Sequence, residues 1–430
     1  MKAGKWRRVL GLIALVVGAA AAGLAWYAHG GYARAEIMAR FQLWPDAREQ
    51  LTWYLFLHPR DDRAHLAFAE ACIKDENLSR EEGIEWAARH LAAVPDTSRY
   101  AAMARSQEGR LELFVAQRPY RAEQRFRHAM AVNPRAIDPY FMIWKLYDLT
   151  GRSHLAEAEF WRVYEASPLP ERGSRLREWF MSQFYPATAN PDLDRLMGVM
   201  DANQDAARTE AQRYVRFRDA EPDGPAGYAA LGRWFEQEGD PKFGLTVLEK
   251  GLASAPQALD DPFFRATLVT VTIAVGEVQR ADELVETWPE PRDGYEYWLS
   301  RAQVLQEARN DPAAAVEAYD RALAIWPGPA DWRTLNRQAA CLVRLRRDAE
   351  VAPLRERIQR VEQLTSDKNL RPLRVVLGSL DDPDKLKAVA EFYRQLGRPR
   401  EAQGWDEYLE WLRARGTTPA ADQPSAPAKP

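Results

Sequence analysis

Six histidines, two cysteines and several paired aspartates are the side chains of this 430-residue chain whose types could do chemistry. Histidines and thiolates ligate metals, thiolates attack carbonyls, and neighbouring carboxylates can share the work of acid and base. Their spacing decides which of these is available. His29, His58, His65, His90, His128 and His154 all fall before residue 155. His58 and His65 suggest a metal pair, but Pro59 and the acidic turn Asp61-Asp62 separate them and no third ligand follows. Cys72 and Cys341 lie in apolar helical contexts 269 positions apart, which reads as two free buried thiols. No C-x-x-C occurs. Asp260-Asp261 and Asp381-Asp382 are each followed by proline, the pattern of a helix N-terminus rather than of a catalytic pair. H-E-x-x-H, G-x-S-x-G, the Walker loop and G-x-G-x-x-G are all missing. The expectation is a chain with no catalytic residue, no metal and no cofactor.

The elements that would position any site are clearer than the site. In PYFMIWKLYDLTGRSHLAEAEFWRVYEASP, residues 139–168, Tyr140, Ile143, Trp144 and Tyr147 form one stripe of a helix. Gly151 interrupts it and can take the left-handed conformation that ends a helix. A second stripe, Ala156, Phe160 and Val163, runs to Pro168. A small residue at 156 lets the two backbones approach. Shifted by 88 positions, the pattern returns at nine sites: Tyr228, Leu231, Gly232, Phe235, Gly239, Gly244, Leu248, Gly251 and Pro256. A shift of 246 recovers Leu386, Ala390, Tyr393, Gly397, Ala402 and Leu409, but puts Asp406 where the aromatic belongs. The second stripe also recurs as Ala122, Phe126, Ala129 and Pro134, and as Ala315, Tyr319, Ala322 and Pro327. The period is about 34 residues, as in helix-turn-helix solenoids.

With these residues the sequence resembles the tetratricopeptide repeat (TPR) family. The match is fullest over 139–168 and 225–256, extends to 101–134, 295–327 and 384–412, and is weaker over 31–60 and 64–95. The resemblance implies an all-α TPR-like solenoid, a right-handed superhelix. LVTVTIA, residues 268–274, then reads as a buried helix rather than a strand. It also implies a concave face of first helices that holds an extended peptide or helix. Lys145 and Asp148, Arg233 and Glu236, Gln303 and Gln306, and Glu391 and Arg394 fall at such positions. A lysine and asparagine set for a chaperone-tail carboxylate clamp cannot be assembled. Fifteen tryptophans are a high count, and some, such as Trp144, Trp234 and Trp298, fall at or beside repeat-core positions and read as packing residues.

Fifty-nine basic and 62 acidic residues give a net charge of −3 and a mixed surface, which argues against nucleic acid as the main ligand. Arg344, Arg346 and Arg347 stand beside Asp348 and Glu350 and read as a solvated face. Residues 1–8 are basic, and 9–27 form nineteen positions without a charge, long enough as a helix to span roughly 28 Å. They read as a transmembrane signal anchor, although Ala19–Ala22 and Gly23-Leu24-Ala25 also suit a cleaved signal peptide. The charge bias predicts a cytoplasmic N-terminus and a single pass through an inner membrane, with the repeats on the extracytoplasmic, periplasmic face. Repeats over 31–168, an irregular helical segment over 169–222 with a break at 182–196, repeats over 223–413 and a disordered tail at 416–430 complete the expected organisation. The functional expectation is a membrane-anchored scaffold or adaptor for protein partners. The alternatives are a non-catalytic subunit of an envelope assembly or export machine, and an enzyme with a site in an irregular segment.

Overall fold

The computed structural model describes residues 23, 26, 27, 29–185, 206–328 and 332–417. Among them are 21 α-helices, and the chain divides into two compact units.

The first unit takes residues up to 116 together with 121–139. It is built from α1 (Gly31–Arg40), α2 (Trp44–Leu57), α3 (Asp62–Lys74), α4 (Arg80–Ala92), α5 (Ala101–Arg110) and most of α6 (Pro119–Val132). Helix starts follow local chemistry. The Asp61 carboxylate accepts from the amides of Arg63 and Ala64, and Ser79 with Glu82 forms a reciprocal capping box ahead of α4. Alanines, Cys72 and a few larger residues, Leu51, Phe68 and Leu91, fill the core. Gly109 lies so near the Phe126 ring that a Cβ there would come within 2.4 Å of it.

The second unit takes residues 117–120 and everything from 140 on. It contains most of α7 (Ile137–Leu149), then α8 (Ser153–Ala166), α9 (Leu169–Phe184), α10 (Ala206–Ala220), α11 (Pro225–Gln237), α12 (Pro241–Ser254), α13 (Pro262–Ala274), α14 (Val278–Glu286), α15 (Tyr295–Glu307), α16 (Pro312–Ile325), α17 (Trp332–Arg344), α18 (Asp348–Leu364), α19 (Asp367–Val376), α20 (Pro383–Gln395) and α21 (Pro399–Thr417). One device recurs at the starts. Asp240, Asp261, Asp311 and Asp382 each precede a proline and accept from a backbone amide of the first turn. The acidic pairs at 260–261 and 381–382 therefore end in caps. A second device recurs at the turns. Gly151, Gly239, Gly276 and Gly397 have φ of 73°, 87°, 89° and 78°, and Asn310 and Arg346 take the same left-handed position at 53° and 58°. The residue after Gly151 and after Gly239 donates back to a carbonyl five positions earlier at 2.8 Å, which closes the helix end.

The repeat-defining side chains sit as follows. Tyr140, Trp144, Tyr147, Ala156, Phe160, Tyr228 and Leu248 are buried, Phe235 is half-buried against Phe243, and Pro168 and Pro256 are exposed at their turns. Ala122, Phe126, Ala129, Ala315, Tyr319 and Ala322 are likewise buried. Residues 268–274 lie in α13, with Leu268, Val269 and Val271 fully buried. Gly232 marks the α11–α12 crossing: a Cβ there would meet the Leu248 side chain at 2.7 Å. Gly232→Trp is expected to lower stability by about 1–3 kcal/mol through overpacking. Thermal melting checks this, and an unchanged midpoint would refute the crossing.

The last hairpin does something that repeat spacing does not announce. Helices α20 and α21 return to α8 and α9, more than 200 positions earlier. The Tyr393 hydroxyl donates to Gln183 at 2.8 Å across 210 positions, and the Tyr164 hydroxyl donates to the Gly404 carbonyl at 3.2 Å across 240. Arg172 pairs with Glu407, and Phe180 and Phe184 meet Phe392 edge to face. Gly173 makes room for the Tyr408 ring, since a Cβ at 173 would lie 2.3 Å from it. The missing aromatic at Asp406 is supplied one residue earlier by fully buried Trp405.

The expected single-pass inner-membrane localisation is corrected. Among the described residues no helix is long and apolar enough to cross a membrane. Most of the expected 9–27 span lies outside the described residues, as do 186–196 of the expected break and 418–430 of the expected tail.

Candidate functional site

The first helices of successive hairpins in the second unit carry a cavity of about 480 Å³. Helix α11 contributes Arg233 and Glu236, α13 contributes Phe263, Thr267 and Thr270, and α15 contributes Tyr295, Glu296 and Gln303. Trp326 follows α16, and Trp332, Arg333 and Arg337 come from α17. His154 at the start of α8 and Trp179 and Gln183 on α9 complete the wall. Helical spacing explains the rows, because residues three and four apart share a face. That rule places Arg233 with Glu236, and Arg333 with Arg337.

Three of the eight side chains expected on a concave face, Arg233, Glu236 and Gln303, thus line one cavity. Arg233 donates to the Gly151 carbonyl at 3.0 Å, and Gln303 is buried and accepts from the Thr270 hydroxyl at 3.0 Å. Gln306 turns to the Tyr319 hydroxyl instead. Glu391 and Arg394 line a separate opening of about 650 Å³ formed by α18, α19 and α20. There they are spent on each other, and Arg394 also holds Asp406.

Lys145 and Asp148 do not join either surface, because both are buried. Lys145 pairs with Glu178 at 3.1 Å and lies over the Trp144 ring, while Asp148 accepts from the Ser182 hydroxyl at 2.5 Å. Burial lifts the Asp148 carboxyl from 3.8 to about 7, against the opposing pull of the Lys145 charge and the Ser182 hydrogen bond. The sign of the consequence follows from proton binding. Between those two values the folded chain holds a proton on Asp148 that the unfolded chain has lost, so this group's contribution to stability falls as pH rises through the window and is constant above it. Asp148→Asn, which keeps an acceptor for Ser182, should flatten that fall and melt higher than the unsubstituted chain at pH 8. Parallel melting curves for the two proteins from pH 4 to 8 would refute it.

Histidine chemistry is distributed differently from the sequence reading. His58 meets His29 at 3.0 Å and His65 meets His90 at 2.9 Å, so His58 and His65 are in separate pairs. No group of three or more metal-ligating side chains occurs among the described residues. Cys72 and Cys341 are free and buried, and burial pushes the Cys72 thiol up to about 12. The titratable pair in the cavity is His154 with Glu296, 2.6 Å apart. Burial pushes the Glu296 carboxyl up, but the His154 hydrogen bond, the His154 charge and Arg152 together hold it below the usual carboxylate range. His154 also packs against the Tyr295 and Trp326 rings, and Trp326 donates to Glu157 at 2.9 Å. None of this aromatic and acidic cluster was singled out by the concave-face positions, and its one sequence trace is the density of tryptophan and arginine between 326 and 337.

Fold and site together define an all-α protein of helix-turn-helix repeats. No family model matches the chain, and no curated protein does at a significant level. Solved structures similar to it include a human IFIT1 dimer with m7Gppp-AAAA, at 13% identity over 75% of this chain and 91% of that one, with a TM-score of 0.33. Yeast Tom70 is similar at 12% identity over 91% of this chain and 96% of that one, TM-score 0.31. A tetratricopeptide repeat protein from Parabacteroides merdae follows at 12% identity over 64% and 98%, TM-score 0.28.

Proposed function

We propose that the chain is a non-enzymatic scaffold or adaptor that holds an extended segment or a helix of a protein partner on the first helices of its second unit. The observation that carries this reading is the convergence of Arg233, Glu236 and Gln303, from α11 and α15, on one cavity. Rigid helices hold these groups before a partner arrives, so little ordering entropy opposes binding. Charged side chains of both signs amid aromatic rings suit a mixed peptide surface better than a purely apolar one.

The test is crosslinking and co-purification of the full chain against an Arg233→Glu, Arg333→Glu variant. Both positions are exposed, so the variant should keep its melting temperature. Loss of one stoichiometric partner by about tenfold or more is the expected result. A partner retained undiminished, or no partner with either protein, would remove the concave-face reading.

A further inference from the structure

The cavity on α11, α13, α15 and α17 has a chemical bias that a general peptide face does not require. We propose that it binds a small organic anion, a carboxylate or phosphate carried on a flat aromatic ring. The proposal goes beyond the scaffold reading and stands without it.

Charge is the first argument. Three guanidiniums, Arg233, Arg333 and Arg337, face two carboxylates in the wall, Glu236 and Glu296. Glu296 is already bound to His154 at 2.6 Å. None of the three arginines makes an ion pair with a carboxylate among the described residues. Arg233 donates to a backbone carbonyl, and Arg337 lies against the Tyr319 hydroxyl. Arg333 and Arg337 are one helical turn apart on α17, a spacing that lets two forks address one anionic head.

Shape supplies the second argument. Half-buried Trp326 and exposed Trp332 offer ring surface beside the buried Tyr295 and Phe263 rings, and the Arg233 and Arg333 guanidiniums lie 5.9 Å and 5.7 Å from the Phe263 and Trp332 centroids. A planar ring can stack there while its anionic substituent meets the arginines. The volume of about 480 Å³ falls within the range of small-molecule sites.

Calorimetric titration of the full chain with 2-naphthoate, 2-naphthyl phosphate, neutral 2-naphthamide and inorganic phosphate tests the proposal. Both ring-bearing anions should bind about tenfold or more tightly than the amide and than phosphate alone. Arg233→Gln with Arg333→Gln should erase the preference for the anions over the amide, while Trp332→Leu should weaken the naphthyl ligands and leave phosphate unchanged. Melting curves establish that the variants fold. The two naphthyl anions differ only in head group, so their ranking distinguishes a carboxylate from a phosphate ligand. Equal affinity for naphthoate and naphthamide, an unchanged preference in the arginine variant, or no heat with any probe would overturn the proposal. A chain that captures a protein partner yet takes no probe overturns this site and leaves the scaffold reading standing. A chain that binds the anions and captures no partner supports the site and counts against the scaffold.

Discussion

Arg398→Ala is expected to cost the second unit about 3–5 kcal/mol. Arg398 is buried at the start of α21, between Glu401 at 2.6 Å and Glu157 on α8. Burial disfavours its charge, but the Glu401 and Glu157 carboxylates more than offset that and hold the guanidinium above its ordinary pKa. Removing it leaves Glu401, whose side chain is 2% exposed, as an uncompensated buried charge. It also removes a tie between α21 and the earlier α8, because among the described residues Glu157 then keeps only the Trp326 indole. Equilibrium denaturation of the full chain measures the loss, and a change under about 1 kcal/mol would mean that the return of α21 onto α8 does not sustain the unit. The companion variant is Arg398→Met with Glu401→Leu. Replacing both charges by apolar groups avoids the orphaned carboxylate, so the double variant should recover much of what the single one loses.

Trp144→Ala has an expected cost of similar size, about 3–5 kcal/mol. Trp144 is fully buried, 5.2 Å from the Phe160 ring and 6.4 Å from Trp179, and Phe160 itself stacks on Trp179 at 4.7 Å. Three helices, α7, α8 and α9, meet at this aromatic cluster, so truncation opens a cavity that no single helix can shift to fill. Trp144→Phe keeps most of the apolar contact and should cost clearly less. A comparable loss in both variants would show that ring volume is not what matters there.

The two positions differ in how they could be found. Trp144 belongs to a stripe visible in the sequence, because its neighbours Tyr140 and Tyr147 follow helical periodicity and the Gly151 turn ends the helix locally. Asp382 and Asp261 are legible for the same reason: an N-cap acts over three residues, and the proline beside it completes the signal. Arg398 is not. As one arginine in a helix-opening stretch it carries no mark of burial, since its partner Glu157 lies 241 positions away.

The candidate site divides along the same line. The family resemblance placed Arg233, Glu236 and Gln303 at first-helix positions of a concave face, and the three side chains line a common cavity. The resemblance also put Lys145 and Asp148 at such positions, but α9 covers that stretch and turns it into a buried ionic cluster with Glu178 and Ser182. Sequence position specifies which face of a helix a residue occupies. Whether another element then covers that face depends on contacts made far along the chain.

By itself, then, the order of residues determined the all-α architecture, the helical hairpins, their left-handed turns and their aspartate-proline starts, because each rests on interactions within a few residues. Tertiary structure alone decided that α20 and α21 fold back on α8 and α9, that Trp405 takes the aromatic place vacated at Asp406, and that His154, Glu296, Trp326 and the α17 arginines surround one cavity. Those outcomes depend on packing between segments up to about 240 residues apart, where no local periodicity reaches.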